Sequence, residues 1–364
     1  MKEKDSALTR PNLQLNRRTL LAGSATGVAG LSVSSLLAAC GDTTSTSKNG
    51  TVGNFPSHPA WKFTFVNHVT TNTFFVPTRY GMADAAAALG CADPQWVGSE
   101  TSLASQMVDQ MNTAIAAKVD GIAVALIDAT AFNDPVKRAL AAGIPVVSYN
   151  ADAPASSNNG RLAYIGQDLY ASGVEVGNKM VELVPSGDIV GFISTPGTLN
   201  IQPRIDGVKA AIKASGKPIN FVEIQTGAEE TGELSAVEAY YLGHKNLKGM
   251  VAVDGGSTSA VGQIMAKYQL ASKGIHGGGY DLEPLTLQEI SKGNLDFTID
   301  QQPYLQGFIP VVQLFLYKLS GGLAQPSTTN TGLLFVTKDN VNNYLKLKTR
   351  FEGSSTTQQV VPAS

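Results

Sequence analysis

Residues 121–149, GIAVALIDATAFNDPVKRALAAGIPVVSY, contain a strand, a helix and a second strand in direct succession. The apolar run Gly121–Leu126 predicts a buried strand, and Phe132–Ala142 predicts a helix. That helix ends at Gly143, and Ile144–Tyr149 predicts the next strand. Strands that lack polar alternation are typical of parallel sheets covered by helices on both faces. The segment therefore indicates an α/β fold.

The alternation of strand and helix continues on both sides of this segment. It covers residues 62–165 and starts again at Ile189, which predicts two successive doubly wound parallel sheets. Two such sheets form two lobes with a cleft between them, and ligands bind beyond the carboxyl ends of their strands. The other predicted strands are Lys62–Asn67, Gln95–Gly98, Leu162–Ile165, Ile189–Ser194, Phe221–Ile224, Met250–Val253, Ile275–Tyr280 and Asp296–Ile299. The other predicted helices are Val76–Leu89, Leu103–Ala117, Arg204–Ala214, Leu234–Gly243, Ala260–Ala271, Glu283–Ser291 and Gln306–Leu319.

The composition limits the class of protein. The chain has 364 residues, with 27 Lys and Arg against 29 Asp and Glu, so the formal net charge is −2. About 300 residues remain after an N-terminal leader, enough for two domains of ordinary size. No basic stripe is present, and we expect no nucleic acid partner. With only 4 His and no His or Cys cluster, we expect no metal and no cofactor.

The first 39 residues have the features of an export signal. Two adjacent arginines, Arg17 and Arg18, precede an apolar run, and the small pair Ala38-Ala39 stands directly before Cys40. Such an order is typical of secretory signals, and the arginine pair indicates the twin-arginine route, with the general route as the alternative. The residues before Cys40 resemble the bacterial lipobox. That resemblance implies cleavage before Cys40, a lipid on its sulfur and anchoring at the outer face of the cell membrane, or a periplasmic location.

A buried core helix with a chance cysteine is the alternative explanation of this segment. It is disfavoured because residues 19–39 are rich in Gly, Ser and Ala, and because the polar segment 40–57 has the composition of a flexible tether. Residues 1–39 are therefore predicted to be the signal peptide. Residues 352–364 are predicted to be a second flexible segment. No other apolar run is long enough to cross a bilayer.

Polar and aromatic side chains follow the predicted strands at the points where they end. Carboxylates, amides and a guanidinium pair well with hydroxyl groups, and an aromatic face covers the C–H side of a sugar ring. Any one of these residues alone is better explained as a turn or a helix cap. Together, at one edge, they predict a site for a polyhydroxyl ligand. The candidate residues are His68, Asn72, Phe74, Phe75, Asn150, Asp152, Arg204, Asp254, Asp281 and Gln301.

Several segments resemble the periplasmic sugar-binding proteins of the ribose/galactose type, which are the receptors of sugar ABC transporters. The similarity runs from about residue 61 to 344. The segments are Phe74-Phe75 with Gly81–Ala86, Asp120–Val124, Gly143–Ser148, Arg204–Gly207, Tyr280-Asp281 and Gln301–Pro303. The resemblance implies the type I periplasmic binding protein fold, in which two doubly wound lobes are joined by a three-segment hinge. The implied N-terminal lobe is 58–167 plus 303–331, and the C-terminal lobe is 168–302 plus 332–351.

The same resemblance assigns roles to individual residues. It implies that Asn72, Phe74 and Phe75 line the first lobe's side of the site, while Arg204, Asp281 and Gln301 line the second lobe and the hinge.

Two departures from the ribose receptors stand beside these matches. Asn150-Ala151 replaces an Asp-Arg pair, and Asp254-Gly255 replaces an Asn-Asp pair. The ligand is therefore expected to be another pentose, a hexose or a polyol. His68 is either a ligand contact or a satisfied residue of the cleft.

The resemblance implies a monomeric, lipid-tethered binding protein that delivers its ligand to an ABC transporter permease. A sensor that uses the same binding chemistry to signal to a chemoreceptor or kinase is the alternative. An exported α/β enzyme is disfavoured, because Gly255–Gly262 lacks the G-x-G-x-x-G spacing of a dinucleotide site. A repressor of the same fold is excluded, because the signal peptide occupies the place of its DNA-binding helices.

Overall fold

A computed structural model describes residues 55–322, 326–358 and 360 of the chain. The predicted signal peptide, Cys40 and most of the predicted tether lie outside these residues. Within them the chain forms two six-stranded sheets, each packed between helices.

The first sheet is parallel throughout, with the strand order β11-β5-β4-β3-β1-β2. The strand β2 lies on one side of β1, and β3, β4 and β5 follow in order on the other side. This is the arrangement of a doubly wound sheet, as the sequence predicts. The strand β5 begins two residues later than predicted, and the polar edge strand β11 was not predicted. The strands are β1 Phe63–Asn67, β2 Gln95–Gly98, β3 Gly121–Val124, β4 Val146–Tyr149, β5 Tyr164–Gly166 and β11 Thr328–Asn330.

The second sheet has the order β12-β10-β9-β8-β6-β7 and repeats the winding of the first. Its edge strand β12 runs antiparallel to β10, so the expectation of a purely parallel sheet is wrong at this edge. A return strand can pair this way because the last crossing between the lobes is too short for a helix. The strands are β6 Gly187–Ile193, β7 Ile219–Gln225, β8 Gly249–Ala252, β9 His276–Gly278, β10 Phe297–Asp300 and β12 Leu334–Thr337.

Helices cover both faces of each sheet. On the second sheet, Met250 and Ala252 of β8 pack into one apolar cluster, while Val251 packs into another on the opposite face. This alternation explains why the strands are apolar throughout. The helices are α1 Val76–Leu89, α2 Ala104–Ala116, α3 Asn133–Ala141, α4 Leu169–Leu183, α5 Gln202–Ser215, α6 Glu230–Gly243, α7 Gly255–Lys267, α8 Pro284–Lys292, α9 Pro303–Ser320 and α10 Val341–Lys346.

In the described part of the chain, three segments connect the two sheets. They join β5 to α4, β10 to α9, and β11 to β12. Hydrogen bonds tie them together: Thr331 Oγ1 donates to the carbonyl oxygen of Gln301 at 2.8 Å, and Gln167 Nε2 donates to that of Gly332 at 3.2 Å. The crossings therefore lie side by side at the edge of the cleft.

Candidate ligand-binding site

A cleft opens between the carboxyl ends of the two sheets. It holds about 610 Å³ of space free of protein atoms, including its mouth. The walls come from both lobes, and nine of the ten predicted residues line them: His68, Asn72, Phe74, Phe75, Asn150, Arg204, Asp254, Asp281 and Gln301.

The first wall begins where β1 ends. Asn72 Oδ1 accepts a hydrogen bond from the Phe74 backbone N–H at 2.8 Å, which caps the short 3-10 helix Thr73–Phe75. This turn places the two phenylalanine rings edge to face, with 4.7 Å between their centroids. Phe75 is 3% exposed and belongs to the core of the first lobe, whereas Phe74 is half-buried at the cleft. Phe74 is thus the ring available to a ligand.

His68 and Asn150 meet across the carboxyl ends of β1 and β4. His68 Nε2 lies 3.1 Å from Asn150 Oδ1, and Asn150 Nδ2 donates to Gln306 Oε1 at 3.1 Å. Because Asn150 Oδ1 must then be an acceptor, we assign the imidazole proton to Nε2. The Nδ1 atom has no hydrogen-bond partner. Burial, and secondarily the charge of Arg204, lowers the pKa of His68 to about 4, so the ring is neutral at physiological pH.

A chain of hydrogen bonds connects this wall to the second lobe. Gln306 Nε2 donates to both the backbone and the side-chain oxygen of Gln301, at 3.1 and 3.2 Å. Gln301 Nε2 donates in turn to Asp281 Oδ1 at 2.6 Å. The series His68–Asn150–Gln306–Gln301–Asp281 therefore spans the cleft and passes through one of the three crossings.

Arg204 dominates the second wall. Its guanidinium lies over the Tyr280 ring, 4.2 Å from the centroid, and donates to the Val253 carbonyl oxygen at 2.9 Å and to Gln167 Oε1 at 3.2 Å. The side chain is 3% exposed, and its Nε has no partner. A buried guanidinium held by stacking and two neutral acceptors is rigid and keeps donor capacity for a ligand.

Asp281 lies beside Arg204 and is 5% exposed. Burial raises the pKa of Asp281 to about 6, although the charge of Arg204 and the hydrogen bond from Gln301 act in the opposite direction. The residue has a left-handed backbone, with φ of 77°. Such a conformation is uncommon for a residue with a side chain and is frequent at binding sites.

Asp254 caps helix α7 from the end of β8. Its Oδ1 accepts from the Ser257 N–H at 2.9 Å, and its Oδ2 accepts from the Ser194 N–H at 3.0 Å. The cap explanation suggested by the sequence therefore holds for Asp254. The residue also borders the cleft, so the two roles coexist.

Asp152 is the exception among the ten residues. Its carboxylate forms an ion pair with Arg161 and accepts a hydrogen bond from Ser148 Oγ at 2.7 Å, and it does not border the cleft. This placement does not support the expectation that Asp152 faces the ligand. Its partner Arg161 reaches it through the fold of the loop before β5. Nothing near Asp152 in the sequence identifies that partner.

The sequence did not indicate three polar residues that line the cleft. Ser102, Asn200 and Glu233 each have a buried side-chain oxygen without a hydrogen-bond partner. Ser102 and Asn200 lie in the loops after the predicted strands Gln95–Gly98 and Ile189–Ser194, but a lone Ser or Asn in a loop is common turn chemistry and gives no signal of its own. The first turn of a helix, where Glu233 lies, is a common place for an acid and gives no further signal.

No group of three or more His, Cys, Asp and Glu side chains among the described residues could hold a metal ion. The described part of the chain also contains no helix long and apolar enough to cross a membrane.

The fold and the cleft agree with comparisons to known proteins. Residues 63–321 match the model of the periplasmic binding protein domain. The chain therefore belongs to the periplasmic binding protein family, and the resemblance drawn from the sequence is confirmed. It is a binding protein and not an enzyme, and membership of the family implies a location outside the cytoplasm.

Named relatives support this membership. The chain is 50% identical to the xylose/arabinose-binding protein XylF of Sulfolobus acidocaldarius over 316 residues, covering 84% of this chain and 77% of that protein. It is 31% identical to the D-ribose/D-allose-binding protein of Pseudomonas aeruginosa over 209 residues, covering 56% and 63%. A solute-binding protein of an ABC transporter from Burkholderia graminis, solved with D-arabinose, superposes with a TM-score of 0.72 at 27% identity, covering 79% and 99%.

Proposed function

We propose that this protein binds a neutral pentose of the xylose or arabinose type in the cleft and delivers it to an ABC transporter permease. The relative at 50% identity is a xylose/arabinose-binding protein, and the Burkholderia protein was solved with D-arabinose. The departures from ribose receptors at Asn150 and Asp254 favour a pentose other than ribose.

One observation carries the proposal. Five buried polar atoms without a hydrogen-bond partner belong to residues that line the same cleft: His68 Nδ1, Ser102 Oγ, Asn200 Oδ1, Arg204 Nε and Glu233 Oε2. Leaving such an atom unpaired costs about 1–3 kcal/mol. Hydroxyl groups are suitable partners for donors and acceptors of this kind, whereas an apolar ligand offers none.

A panel of sugars tests the proposal directly. The purified protein is titrated by calorimetry with D-xylose, both enantiomers of arabinose, D-ribose, D-glucose, D-galactose and myo-inositol. We expect xylose or an arabinose to bind at least tenfold more tightly than ribose. A ligand at about 100 times its Kd also stabilises the folded state by roughly 2.7 kcal/mol, which a melting curve detects. Preference for a hexose, or no binding at all, would contradict the proposal.

Closure of the lobes is the proposed step that reports occupancy to the permease. The three crossings lie side by side, so the lobes can rotate about one axis, with a few residues absorbing the backbone change. A sugar contacted by both walls favours the closed form through its differential affinity for that form. Small-angle scattering should show a smaller radius of gyration on saturation with the best ligand of the panel. An unchanged radius would argue against closure.

Anchoring through Cys40 is the remaining part of the proposal, and it rests on the sequence Leu37-Ala38-Ala39-Cys40. A Cys40→Ser variant lacks the sulfur that would carry the lipid. We expect it to be lost from the detergent phase in a partitioning assay, unlike the parent. Equal partitioning of the two proteins would contradict lipidation.

A further inference from the structure

Glu233 is a buried acid on the second wall that none of the sequence motifs includes. It lies in the first turn of α6, is 4% exposed and lines the cleft. No N–H or O–H group of the described residues donates to its Oε2. An acid in the first turn of a helix is normally solvated, so its position facing the cleft requires an explanation.

The start of α7 leaves room for this carboxyl group. A β-carbon added to Gly256 would overlap the carboxyl group of Glu233. Any side chain at residue 256 would therefore displace the acid from its place. Gly256 thus leaves a space that Glu233 fills, in addition to its place in the first turn of α7.

The neighbour of Glu233 is Asp254, and the two carboxyl groups lie within hydrogen-bond reach. Asp254 accepts the Ser257 N–H at the positive end of α7 and the Ser194 N–H after β6, and both bonds stabilise its charge, although burial raises its pKa. Glu233 has no such donors, so a shared proton resides on Glu233. Two further charged groups, Glu230 and Glu283, act on Glu233, and both are acids. Burial first, then the charge and hydrogen bond of Asp254, and last the charges of Glu230 and Glu283 raise the pKa of Glu233 to about 10.

We propose that Glu233 is a ligand-binding residue, which presents a neutral carboxyl group to one hydroxyl of the sugar while its O–H group bonds to Asp254. The inference rests on the proposed function and adds a contact to it. The carboxyl Oε2 is the acceptor for the sugar hydroxyl. A sugar acid would meet the negative charge of Asp254 at the same place, so the pair favours a neutral sugar.

Three variants test this inference by titration calorimetry with the tightest pentose of the panel. Glu233→Met fills the same volume without polar atoms and should weaken binding at least tenfold. Glu233→Gln keeps the shape, donates to Asp254 through its amide and offers an oxygen to the sugar, so its Kd should stay within threefold of wild type. Glu230→Gln, the same change one turn earlier at an exposed residue, is the control and should leave Kd unchanged.

A fourth variant moves Glu233 without altering it. Gly256→Ala should displace the carboxyl group and weaken binding to a similar extent as Glu233→Met, with a folded circular dichroism spectrum. This variant also keeps the inference testable if Glu233→Met does not fold.

Each outcome separates the inference from the proposed function. If the Kd values of Glu233→Met and Gly256→Ala both stayed within twofold of the wild-type Kd, the inference would be overturned and the proposed function would be unaffected. If Glu233→Gln lost as much affinity for the sugar as Glu233→Met, the claim that Glu233 contacts the sugar as a neutral group would be wrong. If neither wild type nor Glu230→Gln bound any sugar, the proposed function and the inference would both be wrong.

Discussion

The two walls of the cleft differ in charge. The first wall, formed by His68, Asn72, Phe74 and Asn150, carries no formal charge, because the imidazole of His68 is neutral. The second wall, formed by Arg204, Glu233, Asp254 and Asp281, consists of ionisable groups. The first therefore offers an aromatic face and neutral hydrogen bonds, while the second offers a buried guanidinium and buried acids, of which Glu233 is proposed to be neutral.

This difference indicates a division of work between the lobes. Charge-assisted hydrogen bonds to buried groups are roughly twice as strong as neutral ones, so the second wall should contribute more of the affinity. The first wall should set the orientation of the sugar ring through Phe74. The hydrogen bonds from His68 through Gln306 to Asp281 join the two walls.

The largest effect on this comparison should come from Arg204. Arg204→Met retains contact with Tyr280 but removes the donors to Val253 and Gln167, and it removes the charge that lowers the pKa of Asp281. Loss of one buried hydrogen-bonded charge costs roughly 2–5 kcal/mol, at least about 30-fold in Kd. Calorimetry with the best pentose measures the loss.

A matched control for Arg204 is available on the first lobe. Arg161→Met breaks the ion pair with Asp152, which lies away from the cleft, and should leave Kd within twofold. Equal losses in the two arginine variants would show that the walls do not differ as proposed, and would return Asp152 to the site.

The neutrality of the first wall depends on His68. Its pKa is about 4 in the folded protein and about 6.5 unfolded, so between these values only the unfolded chain binds the proton. Stability from this residue is therefore present above pH 6.5 and is lost as the pH falls toward 4, by about 3 kcal/mol at most. His68→Gln should flatten this part of the pH profile of the free energy of unfolding, measured by urea titration.

The control for His68 is His244, an exposed residue whose ring stacks on Tyr240. His244→Gln should keep the wild-type profile. Profiles of wild type and His68→Gln that run parallel between pH 4 and 6.5 would contradict a neutral, buried imidazole.

The sequence predicted the two sheets because their strands are apolar on both faces, and it placed Arg204 and Asp281 at the cleft because parallel strands end at one edge. It could not predict the edge strand β12, which pairs through backbone groups after a short crossing. Nor could it identify Glu233, whose burial depends on the space left by Gly256, or the ion pair that turns Asp152 away from the cleft. The local sequence pattern determines helices and strands, whereas these three features depend on contacts between segments that are distant in the sequence.

The smallest of the effects separates the adjacent rings of the first wall. Phe74 is half-buried at the cleft and Phe75 lies in the core, where its ring also contacts Trp96. Phe74→Leu keeps an apolar side chain but removes the aromatic face, so Kd should rise by a few-fold to roughly tenfold, since ring contacts contribute about 0.5–1.5 kcal/mol. The melting temperature of the ligand-free protein should hardly change.

Phe75→Leu should do the reverse and lower the free energy of unfolding by on the order of 1 kcal/mol, with Kd nearly unchanged. If the two variants instead shared one phenotype, the rings would act as a unit, and the first wall would owe its role to the packing of the core rather than to contact with the sugar.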